Sequence, residues 1–102
     1  MLVCAAATVW TDAAPAEQAQ TSSFLKLDAG QRYWWLDGAI MTAIHLASMK
    51  NKQRGECATN WYLDDIKGKQ AFIEKKIAQY PEMGATTIVI AMMSKACGPL
   101  VE

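Results

Sequence analysis

The chain lacks an excess of either charge: its 102 residues carry 10 Lys plus Arg against 10 Asp plus Glu. Phosphate neutralisation needs clustered basic residues in excess, so a nucleic-acid partner is excluded, and a polybasic membrane surface falls for the same reason. No uninterrupted apolar run reaches the roughly 18 residues that a bilayer requires. Asp37 and His45 break the longest stretch, Tyr33 to Met49. Histidine is almost missing, and one His with separated cysteines supplies neither the count nor the paired spacing of a structural zinc site. The six glycines (Gly30, Gly38, Gly55, Gly68, Gly84 and Gly98) are scattered, so no phosphate-binding loop is present and no cofactor is implied. Basic residues are absent before Lys26, which leaves the amino terminus without the charged n-region of a complete export signal.

What is present is the composition of one soluble globular domain, 52% hydrophobic and 20% charged, in a chain long enough for a single modest core. Residues 2–10 form a short apolar run, and Ala14-Pro15-Ala16 gives the small-x-small pattern that signal peptidase accepts before Glu17. Residues 1–16 therefore read as a signal-peptide remnant, 17–23 as a polar linker and 24–102 as a single helical domain in the periplasm or outside the cell. Losing Cys4 with the leader leaves two cysteines, Cys57 and Cys97, which an oxidising compartment would pair.

The apolar periodicity predicts an all-α domain, a small helical bundle of four to five helices with one disulfide. Ser22 or Ser23 can open a short turn carrying Phe24, Leu25 and Leu27. Asp28 with Gln31 three residues later forms a capping-box pattern before a long helix from about Ala29 to Lys50. Trp35, Leu36, Ala39, Ile40, Ala43, Ile44 and Ala47 make its core stripe, while Tyr33, Trp34, Met41 and Met49 extend apolar character around the circumference. One helix stripe cannot bury all of these, so the latter four are expected at a homodimer interface. Gly38 in the middle of that helix predicts close approach by another helix backbone.

Lys50 to Glu56 reads as a solvated, positively charged loop, followed by a short segment placing Trp61 and Tyr62. Asp64 or Asp65 is expected to cap a helix running to about Tyr80, with an apolar stripe of Ile66, Gln70, Ile73, Ile77 and Tyr80 helped by Phe72, and Pro81 ends it. The last element, from Thr86 or Thr87 to Cys97, has helical length and a Gly98-Pro99 stop, although Thr-Thr-Ile-Val-Ile also suits a strand.

No catalytic set emerges. His45 reads as a half-buried, hydrogen-bonded helix residue, because no signature brings Cys57 or Cys97 beside it. Asp64-Asp65 suit the positive end of a helix dipole better than acid–base work. The chain is thus read as a non-enzymatic binding protein, with Lys50, Lys52, Arg54, Trp61 and Tyr62 as the partner-binding residues.

From Phe24 to Cys97 the chain resembles the Rap/Tai type of immunity proteins, which neutralise type VI secretion amidase effectors in the periplasm. The similarity rests on Leu25 and Leu27, on Trp35, Leu36 and Gly38, on Cys57, on Tyr80-Pro81-Glu82, and on Ala85, Val89 and Ala91 leading to Cys97. That resemblance implies a helical dimer that blocks an amidase cleft. A second similarity, carried by Phe24, Leu25 and Asp28, is to HdeA-type acid-stress chaperones. It implies apolar faces freed by acid to hold unfolded client proteins.

Overall fold

The computed structural model describes residues 20–99, which form five helices and no strand. The first, α1, is described over residues 20–25. It is followed by α2 (Ala29–Lys50), α3 (Lys52–Asp64), α4 (Ile66–Gln79) and α5 (Ala85–Cys97). Helix already runs at Gln20, so the last residues of the expected linker belong to the fold. The Thr21 side chain is buried and donates to the Met83 carbonyl at 2.6 Å, joining α1 to the α4–α5 connection.

Local side-chain caps account for the starts of α2, α3 and α4. The Asp28 carboxylate accepts from the Gln31 amide at 2.8 Å while the Gln31 side chain accepts from the Asp28 amide, closing the capping box of α2. Asn51 alone separates α2 from α3, and its side chain accepts from the Arg54 amide at 3.1 Å. The expected loop from Lys50 to Glu56 is therefore a helix corner. An Asn that is a good N-cap restarts the helix at once, and Trp61 and Tyr62 lie on the same continuous helix. Asp65 caps α4 through the Gly68 amide. Gly84 has no side chain with which to cap α5, and Gln20 reaches across from α1 to accept from the Thr86 amide at 3.3 Å. The β-prone Thr86 to Ile90 run is helical, because Val89 is fully buried and Ile88 almost so at helical spacing from Ala85 and Met93.

One core of Phe24, Leu36, Ile40, Ile44, Tyr62, Ile73, Ile77, Val89 and Met93, with buried alanines between them, joins all five helices. Phe24 packs on Trp35 with ring centroids 5.1 Å apart. α3 folds back along α2, and α5 touches α2, α3 and α4. The close approach of backbones is not at Gly38, where an added Cβ would meet nothing within 4 Å. It is at Gly55, where a Cβ would stand 2.6 Å from the Ser48 Cα across the α2–α3 contact. Tyr80 and Phe72, expected in the α4 stripe, are exposed, and the stripe is completed by Ile73, Ile77 and a buried Gln70.

Cys57 of α3 and Cys97 at the end of α5 form a disulfide with Cα atoms 5.8 Å apart, 40 residues apart in sequence. Gly98, at φ +92°, follows it in a backbone conformation that side-chain-bearing residues rarely adopt, and its amide bonds the Ser94 carbonyl.

Two measurements test this packing. Gly55→Ala should lower the unfolding free energy by about 1–3 kcal/mol in urea titration, since the clash is with backbone and cannot be relieved by a rotamer. Replacing both bridged cysteines by serine should lower it by about 4 kcal/mol on the loop-closure model. A loss below about 1 kcal/mol in the cysteine variant would show that the bundle does not depend on the tie.

Candidate protein-docking surface

The partner-binding residues expected from sequence do not form one site. Lys50 and Lys52 are exposed at the α2–α3 corner, on either side of the Asn51 cap. Lys52 borders a shallow hollow with Ser48, Gly55, Glu56, Thr59 and Asn60. Arg54 turns instead toward the end of α5, where its guanidinium donates to the Pro99 carbonyl at 2.6 Å. Trp61 lies about 13 Å farther along α3 than Lys52, at 1.5 Å per residue. It is half-buried and takes the Lys69 ammonium over its ring, 5.5 Å from the centroid.

Tyr62 is not at the surface at all. It is fully buried, and its hydroxyl donates to the Asp37 carboxylate of α2 at 2.7 Å while accepting from the Gln70 amide of α4 at 2.9 Å. Gln70 also donates to the Tyr33 carbonyl at 3.2 Å. One phenol thus ties three helices, and both capacities of its oxygen are used. Burial, helped by the neighbouring Asp37 carboxylate, pushes the Tyr62 phenol up from the ordinary 10 to about 12, because a phenolate there would be poorly solvated and repelled. A bridge from Arg32 to Glu74 at 2.6 Å adds a second, half-buried link between α2 and α4. Among the described residues every buried side-chain nitrogen or oxygen has a partner.

Sequence reading missed this network. Two signals point to it: Asp37 is the only acid within α2, and Gln70 sits at a core position of the α4 stripe. A lone carboxylate on an apolar helix and a lone amide on an apolar stripe each need a buried polar partner.

The residues expected at a dimer interface separate in the same way. Trp34, Met41 and Met49 are exposed on the outer side of α2, together with Leu46. Tyr33 is half-buried and stacks edge-on against the Trp34 ring. His45 is exposed on that outer side rather than half-buried, since it falls opposite the core stripe. Beside this face Trp34, Gly38, Thr42 and Leu46 of α2 form one wall of an open groove, and Thr86, Val89 and Ile90 of α5 the other.

Among the described residues, no group of three or more His, Cys, Asp and Glu could hold a metal ion, and no helix is long and apolar enough to cross a membrane. What the arrangement offers chemically is contact: a cationic corner and an uncharged apolar helix face on a tied scaffold. Compared with protein-family models, with curated proteins and with solved structures, the chain matches none.

The buried phenol generates a pH-dependent prediction. The unfolded chain gives up the Tyr62 proton near pH 10 and the folded one near 12, so stability is intact below 10 and falls by up to about 1.4 kcal/mol per pH unit between them. Tyr62→Phe should cost about 1–3 kcal/mol at neutral pH by leaving Gln70 under-bonded, and should flatten this alkaline slope. Equal slopes in the two proteins, measured by urea unfolding across that interval, would contradict the assignment.

Proposed function

We propose that this chain is a non-enzymatic binding protein of an oxidising, extracytoplasmic compartment, and specifically an immunity protein of the Rap/Tai type that covers the active-site cleft of a cell-wall amidase. The observation that carries the reading is the Cys57–Cys97 tie between α3 and α5. Such a bridge is stable where thiols are oxidised, and it holds together the helices on which the Rap/Tai similarity lies. The polar groups that a catalyst would present in a cleft are here spent inside: Asp37, Tyr62 and Gln70 bond one another, and Arg32 bonds Glu74. Function then falls to the surface.

The α2–α3 corner is the contact of choice. It projects from the hairpin, carries Lys50 and Lys52 without a core role, and rests on an Asn51 cap that fixes its backbone. Loops and corners on a rigid scaffold are where binding residues concentrate. Trp61 is a secondary contact, and Tyr62 is withdrawn from the surface because it is buried.

A second reading, an HdeA-type chaperone, draws on the exposed Trp34, Leu46, Met49 and Leu63, which offer apolar surface to unfolded clients.

The test measures inhibition of, and calorimetric binding to, purified cell-wall amidases of the Cys-His type at neutral pH. One-effector binding that falls at least about 10-fold in a Lys50→Glu, Lys52→Glu variant supports the corner as the contact. Arg54 is left in place because its bond to Pro99 makes its loss structural. Unchanged affinity in the variant rejects the corner. Aggregation suppression of several clients only after acidification, without amidase binding, replaces the immunity reading with the chaperone one.

A further inference from the structure

Three donors suited to a soft metal ion stand one helical turn apart on the outer side of α2. Met41, His45 and Met49 follow one another at intervals of four residues, so each lies about 6 Å farther along the axis on nearly the same face. All three are exposed, and His45 is the one histidine of the chain. Methionine ordinarily fills gaps in a core. Met93 is buried and Met83 and Met92 are half-buried, whereas Met41 is 45% exposed and Met49 70%. Among the described methionines, the two exposed ones are the two that flank the imidazole.

The donor set selects the ion. Thioether sulfur is neutral and polarisable and binds soft cations such as copper(I), and imidazole serves copper as well. Zinc, calcium and magnesium call for thiolates, carboxylates or several imidazoles, and none of these stands beside His45. The one acid of α2, Asp37, accepts from the buried Tyr62 hydroxyl. Cys57 and Cys97 are bonded to each other and offer no thiolate. Neutral donors leave the full charge on the ion, and a monovalent ion bears that more easily than a divalent one.

Helix geometry then sets the coordination. Residues 41 and 49 are two turns, about 12 Å, apart along the axis, farther than two thioethers can close on one ion. The imidazole is one turn from each and can share an ion with either. Copper(I) and silver(I) are closed-shell ions that accept linear coordination by two donors, so one nitrogen and one sulfur suffice.

We propose that Met41, His45 and Met49 form a surface site for copper(I), in which the His45 imidazole and the thioether of either Met41 or Met49 hold one ion. The second thioether is the alternative donor. This inference does not rest on the immunity reading, since the site could be filled in a protein that binds no amidase.

Silver(I), which shares the donor preference and keeps its oxidation state, is the first probe, and copper(I) held reduced by ascorbate is the second. The full chain carries Cys4→Ser, so that this thiol does not take the ion. In proton–carbon correlation spectra, silver(I) should shift the Met41 and Met49 methyl signals and the His45 ring signals until one ion is bound per chain. The Met83, Met92 and Met93 methyls should stay in place, and copper(I) should move the same signals as silver(I). His45→Gln should weaken silver binding at least about 10-fold, and so should Met41→Leu combined with Met49→Leu. Met49→Leu alone should cost only about 2-fold, because the other thioether takes its place. Leu keeps the size and helix preference of Met, so the helical circular dichroism spectrum should not change. Silver bound equally well by the double methionine variant, shifts at Met83, Met92 or Met93 instead, copper(I) that leaves all three residues unmoved, or zinc(II) that shifts the His45 ring as strongly as silver would each overturn the proposal.

Discussion

The backbone of α3 can lie on α2 only because residue 55 carries no side chain. That approach, with Gly55 against Ser48, fixes how far along α2 each later residue of α3 falls. Two turns on, the same register brings Tyr62 over Asp37 and within reach of Gln70, and it turns Cys57 toward the end of α5. The hydroxyl network and the disulfide are consequences of one steric fact. Each then reinforces it: the network links α2, α3 and α4 by directional bonds, and the bridge ties α3 to the end of α5, 40 residues apart in sequence.

That economy explains why a small domain can bury polar groups. An unpaired Asp or Gln in a core of this size would cost a sizeable part of the total stability, which for a domain is only about 5–15 kcal/mol. Here the acceptor, the hydroxyl and the amide satisfy one another, and Thr21 does the same for the Met83 carbonyl at the other side of the bundle. This polar set holds α2, α3 and α4 in register. Among the described surfaces, a cationic corner where α2 turns into α3 and an uncharged apolar face along α2 lie on one helix pair.

Where the chain's own pattern was decisive, the signals were local. The Asp28–Gln31 capping box, the 3.6-residue stripe of α2, the Asp65 cap and the Pro81 stop each act within a few residues, and each stands where the spacing puts it. The Cys57–Cys97 pairing was legible because counting leaves one combination once Cys4 is set aside. Other signals were legible but were given the wrong partner. Gly38 does mark unused space, although among the described residues no helix enters it, and Tyr62 is an anchor, although it anchors the interior.

The amino-acid sequence by itself determined that the fold is helical, where most helices begin and end, and that sulfur would bridge residues 57 and 97, because these follow from backbone capping, periodicity and counting. Only the tertiary structure decided that Lys50 to Glu56 is a corner rather than a loop, that Gly55 and not Gly38 is the point of contact, and that Tyr62, Asp37 and Gln70 meet. Those outcomes depend on the angle and register at which helices distant in sequence pack. A one-dimensional pattern states which face of a helix is apolar and says nothing about which neighbour covers it.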